Sequence, residues 1–246
     1  MPRTLITLPA KPLPAGRRGT AKRTRIQVRN EERILDAAQQ VFADYGYYGA
    51  TMDKVARKID MSQPNLHHYF KRKSDLYNAV LKRALETWLA TLREMNPKGN
   101  PKTELSRYIR QKIELSRRYP EASRVFAGEI LQGAPVLSHY LETSFKTMME
   151  KSVAVIQHWI DNGKIAKVDP YHLIFMIWAA SHHYANCLPQ VTAAMGVKRL
   201  TKAQYSAAGQ SICDVILHGV LPASAQSIVR KSGNRFSATN DATTKT

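Results

Sequence analysis

Within six positions the chain sets four polar side chains, Gln63, Asn65, His67 and His68, on a short segment whose opposite side carries the apolar Leu66 and Phe70. Gln and Asn make paired hydrogen bonds to adenine, and His donates to guanine or to phosphate, so this set has the chemistry to read base edges. Ser62 and Thr51 stand where helices would start, and a hydroxyl with backbone N–H groups at a helix start holds a phosphate oxygen. Pro64 and Tyr69 complete the same surface, and Lys71, Arg72 and Lys73 supply countercharge. A short helical hairpin with a polar face is also often plain surface.

A second set suits a different partner. Trp178, Ser181 and His182 share one helix face by their i, i+3, i+4 spacing, and Trp88 lies on an earlier long helix. Aromatic plates with a few hydrogen-bonding groups fit a flat, polar heterocycle, although core packing is the commoner fate of a Trp at helical spacing. Glu129 is placed to fix either a ligand or the nearby Arg124. His182 and His183 are adjacent and point about 100° apart on a helix, a poor geometry for joint metal binding. No nucleophile with its base and no metal cluster can be assembled, so no catalytic residue, metal or cofactor is expected, and an all-α enzyme with a basic surface lacks its chemistry.

The elements that must position these residues are helices. From Asn30 to Val220 the hydrophobic period is helical, with no alternating strand of useful length. Ile34, Leu35, Ala38, Val41, Phe42 and Tyr45 mark one face of a first helix ending at the turn from Gly46 to Gly49. Thr51 caps a second helix with the inward stripe Met52, Val55, Ala56 and Ile59. After a tight turn at Asp60 and Met61, Ser62 caps a third, with Pro64 in its first turn. Ser74 is the expected cap of a long fourth helix, with Asp75 at its positive end. Five more follow at roughly 101–118, 120–132, 135–162, 169–190 and 202–219, most opened by Pro and one capped by Asp169. The fold class is therefore all-α, about nine helices: a three-helix helix-turn-helix domain over 30–75 and a helical ligand-binding and dimerisation domain over 76–222. Residues 173–188 are apolar on nearly every side, which calls for burial against several neighbours, a second subunit included.

Composition bounds the partners. The 246 residues carry 37 Lys and Arg against 19 Asp and Glu, a formal charge of +18 that favours a polyanion. Residues 1–30 hold eight basic residues, among them Lys22, Arg23 and Arg25, and no acid. Pro2, Pro9, Pro12 and Pro14 break the amphipathic helix that a transit peptide needs, so residues 1–29 read as a flexible basic arm that adds phosphate or minor-groove contacts. The Ser-, Thr- and Asn-rich residues 223–246 read as a disordered tail. Cys187 and Cys213 lack any paired spacing, which excludes a disulfide scaffold and suits a reducing cytoplasm. The longest apolar run, 173–180, is far short of the roughly 20 residues of a membrane span. A constitutive DNA-architectural protein would leave the second, helical domain without a purpose.

The run TMDKVARKIDMSQPNLHHYFKRKSDL, residues 51–76, resembles the DNA-binding domain of the TetR family of bacterial transcriptional regulators. The family pattern is met by Thr51, Val55, Ala56, Ser62, Tyr69, Phe70 and Lys73; Asp60 departs from it, standing where Gly is usual, and Asp tolerates positive φ. YPEASRVFAGEILQGAP (119–135) and GKIAKVDPYHLIFMIWAASHHYA (163–185) resemble the ligand domain of the family's uracil-responsive regulators of pyrimidine utilisation. That resemblance implies a homodimer built on the last two helices, double-stranded operator DNA as one partner, and a small effector such as uracil, thymine or a related pyrimidine catabolite. It further implies that Trp88, Trp178, Ser181 and His182 contact the ligand. His182 stands where Gln is expected, and His matches an amide edge with one donor and one acceptor only in its neutral form.

Overall fold

A computed structural model describes residues 24–222, and every described element is helical. Helix α1, Arg25–Gly49, is kinked at Gly46, whose φ of 66° with ψ of 177° is a conformation held almost only by glycine. It starts five residues before the expected Asn30, because Thr24 and Gln27 form a capping box. Arg25 to Arg29 therefore belong to α1, a correction to an arm reaching residue 29. Lys22, Arg23 and the tail 223–246 lie outside the described residues.

Three further elements complete the N-terminal run: α2, Met52–Lys58; α3, Gln63–Tyr69; and α4, Lys73–Arg93. Thr51 and Ser62 cap α2 and α3 as their residue types require. Helix α4 opens one residue before the expected cap Ser74, since the Arg72 carbonyl already accepts from the N–H groups of Asp75 at 3.1 Å and Leu76 at 3.2 Å.

Then come α5, Pro101–Arg118; α6, Pro120–Leu131; a single turn α7, Ser138–Tyr140; a π-helical turn, Leu141–Phe145; and α8, Lys146–Asp161. The expected helix 135–162 starts late because Ala134, at φ 56°, interrupts the chain. The expected helix 169–190 is two: α9, Pro170–Asn186, and α10, Leu188–Ala194. Pro189 causes the break, since it offers no N–H to continue the ladder and its ring crowds the residue before it. Helix α11, Lys202–Val220, closes the chain.

Packing gathers the described residues into two compact units, 24–90 with 119–148 and 91–118 with 149–222. The boundary thus falls inside α4 and α8, and α6 joins α1 in the first unit rather than following the linear division at residue 76. In the first unit the buried residues include Ile34, Phe42, Val55, Leu66, Leu76 and Leu81. In the second, α5 packs against both α9 and α11. The site of a Cβ on Gly209 would stand 3.7 Å from the Ile113 side chain, the close approach that lets α11 lie on α5. Trp159, fully buried, ties the loop before α5 by donating its indole N–H to the Pro97 carbonyl at 2.9 Å. Along α9, Leu173, Ile174 and Ile177 are buried while Phe175 and Met176 keep 47% and 55% of their surface, so one protomer covers only one side of this apolar helix. No described helix is long and apolar enough to cross a membrane.

Candidate functional site

The turn between α2 and α3 is built from backbone bonds first. Met61 N–H reaches the Ala56 carbonyl at 3.0 Å and Asp60 N–H the Arg57 carbonyl at 3.3 Å, which requires Asp60 at φ 52°. The Asp in place of Gly is accommodated. Arg33 on α1 donates to the Ile59 carbonyl at 3.1 Å and holds the turn against the first helix. Thr51 Oγ1 accepts from Lys54 N–H at 3.1 Å, and Ser62 Oγ from Asn65 N–H at 3.4 Å, so each hydroxyl sits at a positive helix end.

With Leu66 at 0% and Phe70 at 9% exposure anchoring its inner side, α3 leaves Gln63, Pro64, Asn65 and His68 exposed. Their amides and ring are open to a partner. His67 is half-buried, and its Nδ1 lies 3.1 Å from the Lys71 carbonyl, which leaves Nε2 as its outward atom. Tyr69 is fixed by Asn30 Nδ2, which donates to its hydroxyl oxygen at 3.1 Å; the hydroxyl proton stays available to a phosphate. Arg72 pairs with Asp75.

Lys73 is positioned otherwise than the sequence implied. Its ammonium donates to the carbonyls of Tyr47 at 2.8 Å and Ala50 at 2.9 Å and lies 4.6 Å from the Tyr47 ring centroid. It binds the orphan carbonyls at the end of α1 to the start of α4. Arg25 is exposed in the first turn of α1. Sequence reasoning missed Asn30, Arg33 and Lys54, whose Nζ donates to the Gly49 carbonyl at 2.9 Å. Only the capping box at Thr24 carried a local signal.

Trp88 and Glu129 belong to the first unit, and Trp178, Ser181 and His182 to the second. Trp88 is 7% exposed. Buried Glu129 takes the N–H groups of Val136 at 2.6 Å and Leu137 at 3.1 Å on Oε1 and the Tyr77 hydroxyl at 3.1 Å on Oε2. This carboxylate holds the turn in which Ala134 has positive φ, and Arg124 is not its partner: that guanidinium faces Asp44 and Glu121. Burial, with Glu129 beside it, holds the Tyr77 hydroxyl well above its ordinary titration range.

In the second unit α5 and α9 face each other through a polar seam. Trp178 donates its indole N–H to the Tyr108 hydroxyl, and Ser116 donates to the Ser181 carbonyl at 2.9 Å. Ser181, fully buried, donates its own hydroxyl to the Ile177 carbonyl at 2.7 Å. Between Tyr108 and Ser116 in sequence lies Lys112, 2% exposed, with Nζ 5.7 Å from the Trp178 ring centroid. Burial pushes its amine down to about 7. His182 is pushed down to about 3 by burial and by the Lys112 charge, so the imidazole is neutral, with one donor and one acceptor. Sequence reasoning passed over Lys112, because a lysine in a helix reads as solvated face until its neighbours Tyr108, Ile109 and Ile113 are seen to be buried.

The description "Bacterial regulatory proteins, tetR family" fits residues 34–80, and "YcdC-like protein, C-terminal region" fits 81–223. The chain is 38% identical over 203 residues to the HTH-type transcriptional regulator RutR of Escherichia coli (strain K12), covering 82% of this chain and 96% of that protein. Over 68 residues, 27% of this chain and 31% of the relative, it is 40% identical to the HTH-type transcriptional activator FasR of Mycolicibacterium smegmatis. Among solved structures, the ketosteroid transcriptional regulator KstR2 of Mycobacterium tuberculosis superposes with a TM-score of 0.64 at 17% identity, covering 78% and 95% of the two chains. A TetR-like regulator from Rhodococcus does so with 0.58 at 21%, covering 80% and 98%; both likenesses speak for the fold.

Proposed function

The chain belongs to the TetR family of ligand-responsive, DNA-binding transcriptional regulators, and on that premise we propose that it represses genes of pyrimidine or related nitrogen catabolism. A small pyrimidine-like effector, uracil, thymine or a related catabolite, releases it from operator DNA. The observation that carries the reading is the likeness to RutR across both halves of the chain, with the aromatic and hydrogen-bonding seam of Trp178, Ser181 and His182 in its C-terminal half. Such a regulator acts on the chromosome, in the cytoplasm.

On DNA, Gln63, Asn65 and His68 read base edges in a major groove, His67 and Tyr69 contact the adjoining backbone, and the starts of α2 and α3 at Thr51 and Ser62 hold phosphates. Lys22, Arg23 and Arg25 add sequence-independent affinity. The exposed side of α9, together with α11, covers itself in a homodimer and sets two recognition helices about 34–36 Å apart on a pseudo-palindrome.

An effector changes DNA affinity only by binding one arrangement of the dimer better than another. Helix α4 is continuous from the end of the DNA-binding segment at Lys73 to Arg93, so an effector that shifts this helix shifts that segment. A coupling of roughly 1–3 kcal/mol makes a useful switch. The test is a titration of the upstream DNA of pyrimidine-catabolic genes with the full-length protein, with and without uracil, thymine and their reduced or opened products. Release by at least one of these and not by an unrelated metabolite is the expected result; indifference to all of them sinks the reading.

A further inference from the structure

The start of α5 borders a cavity of about 540 Å3 that belongs wholly to the second unit. Small-molecule sites span roughly 300–1,000 Å3. Its walls come from three stretches far apart in sequence: Lys98 to Lys102, Gly163 with Lys164, and Leu221 with Pro222. The backbone around it is fixed by bonds of its own. Fully buried Trp159 donates its indole N–H to the Pro97 carbonyl at 2.9 Å, and Asn96 Oδ1 accepts the Lys98 N–H at 3.0 Å. Gly99 is packed so closely that a Cβ there would stand 2.9 Å from Glu104 Cγ and 3.1 Å from the Asn96 carbonyl oxygen. Gly163, at φ 63°, turns the chain after α8, where the Lys164 N–H reaches the Trp159 carbonyl at 2.9 Å. Ala166 N–H bonds the Val220 carbonyl at 2.7 Å and ties that turn to the end of α11.

The charge on these walls has one sign. Lys98, Lys102 and Lys164 line the cavity and no acid does; among the described residues none of the three has an ion-pair partner. Glu104, which lies against Gly99, is engaged by Arg107 at 2.7 Å and by the Asn96 N–H at 3.2 Å. Residues 223–246, which follow Pro222 in sequence, hold four basic residues to one acid and so bring no surplus of countercharge. A concave site lined by one sign of charge, with Pro101, Leu221 and Pro222 as apolar wall, concentrates counter-ions. The first N–H groups of α5, those of Lys102 and Thr103, are already taken by the Asn100 side chain at 2.9 and 3.5 Å, so it is the lysine ammoniums that are left to hold a ligand.

We propose that this cavity binds a small, multiply charged anion, a chain of linked phosphates, held by the ammoniums of Lys98, Lys102 and Lys164. Each lysine is a point charge on a long stem, and three of them on separate segments suit negative charge spread along a chain rather than a single compact ion. Duplex DNA is convex and carries one charge per phosphate, a poor occupant for a cavity. The chain is either free or the phosphate tail of a nucleotide. This site shares no residue with the proposed pyrimidine site and does not depend on it.

The experiment is lysine acylation of the full-length protein, read by mass spectrometry, with tripolyphosphate, with ATP and with sulfate at matched ionic strength. Tripolyphosphate should slow the labelling of Lys98, Lys102 and Lys164 several-fold and leave Lys151 and Lys202, exposed elsewhere on the same unit, unchanged. Equal protection by ATP supports the site with a nucleotide as its source; protection by tripolyphosphate alone supports it with a free chain. The double substitution Lys98→Gln with Lys164→Gln removes two exposed ammoniums that make no ion pair, so the unfolding midpoint without ligand should stay where it is. Its calorimetric affinity for tripolyphosphate should fall at least about tenfold. The rise in Tm that tripolyphosphate gives the parent, by joining three segments of one unit, should shrink with it. Absence of protection, the same protection by sulfate, or equal slowing at Lys151 and Lys202 would mean plain screening by an adventitious ion only and overturns the proposal. A double variant that binds tripolyphosphate as tightly as the parent overturns it too, because the phosphate would then sit on another basic surface of the chain.

Discussion

The Lys73 ammonium donates to the Tyr47 carbonyl at 2.8 Å and rests 4.6 Å from the centroid of the same residue's ring, so one cation satisfies both a helix end and an aromatic face. That relationship joins α4 to the end of α1 across 26 residues of sequence. The Tyr47 ring in turn packs on Tyr77 at 4.8 Å between centroids, and Tyr77 reaches Glu129. Lys73 thus belongs to the frame that ties α4 to the end of α1.

Lys73→Met should therefore cost about 1–3 kcal/mol of stability, the range for orphaning buried carbonyls, and lower the chemical unfolding midpoint accordingly. Its effect on DNA differs from that of a phosphate contact. Removing a phosphate-binding lysine lowers the slope of log affinity against log salt by nearly one. Loss of a clamp leaves the slope unchanged. A shallower slope with unchanged stability would return Lys73 to the DNA surface.

Reading and holding are separable on α3. Asn65→Ala and Gln63→Ala remove exposed amides that make no side-chain contact needed for the fold, so stability should hold within about 0.5 kcal/mol. On operator DNA each should cost about 1–3 kcal/mol, with little change on random duplex. Fluorescence anisotropy on the two DNAs decides it, and equal losses on both would show that α3 does not read bases.

Local chemistry made the helix-turn-helix legible. Thr51 and Ser62 are caps whose side chains bond the N–H three residues on, as Asp169 does at the start of α9, and Asp60 tolerates the left-handed turn, each within a few residues of sequence. What stayed hidden is tertiary. The carbonyls that Lys73 binds are 23 and 26 residues away, and the turn that Glu129 holds owes its shape to Ala134, a residue with no turn signature. Two misses were readable after all: the capping box of Thr24 and Gln27, and Pro189 inside an otherwise continuous apolar helix. Lys112 was hidden for a different reason, since a lysine in a helix reads as solvated face until its neighbours at 108, 109 and 113 are seen to be buried.

The open side of α9 should be the dimer face. Phe175 and Met176 on α9 and Val215 on α11 keep 47%, 55% and 72% of their surface in a single protomer, and burying side chains of this size contributes roughly 1.5–3 kcal/mol each. Phe175→Glu and Val215→Glu should shift the protein from dimer to monomer in light scattering at micromolar concentration while leaving its helicity unchanged. Operator affinity should fall with dimerisation, because a pseudo-palindrome rewards two linked reading helices. A dimer that survives both substitutions at dilution would place the interface on another face.

Lys112 and His182 should leave their mark on stability against pH, in windows fixed by the direction of each shift. The folded amine titrates at about 7, far below a solvated lysine, so above that pH the unfolded chain holds a proton that the folded chain does not. Stability from this group therefore rises with pH above about 7, and the burial cost is felt in full below it. Lys112→Met lacks the term: its gain over the parent should be largest at pH 7 and below, and should shrink by up to about 1.4 kcal/mol per pH unit as pH rises. His182, held at about 3, works in the same sense over a lower window. Below about 6.5 the unfolded chain takes up a proton that the folded imidazole refuses, so the parent loses stability on acidification and His182→Gln should lose less. The two are linked, because the Lys112 charge is one reason that His182 resists protonation. In Lys112→Met the imidazole should accept its proton at higher pH, and the acid-side loss should be smaller than in the parent even though His182 is still present. Chemical unfolding of parent and both variants between pH 4 and 9 measures all three differences, and parallel curves would mean that neither group is buried in its folded environment as the structure places it.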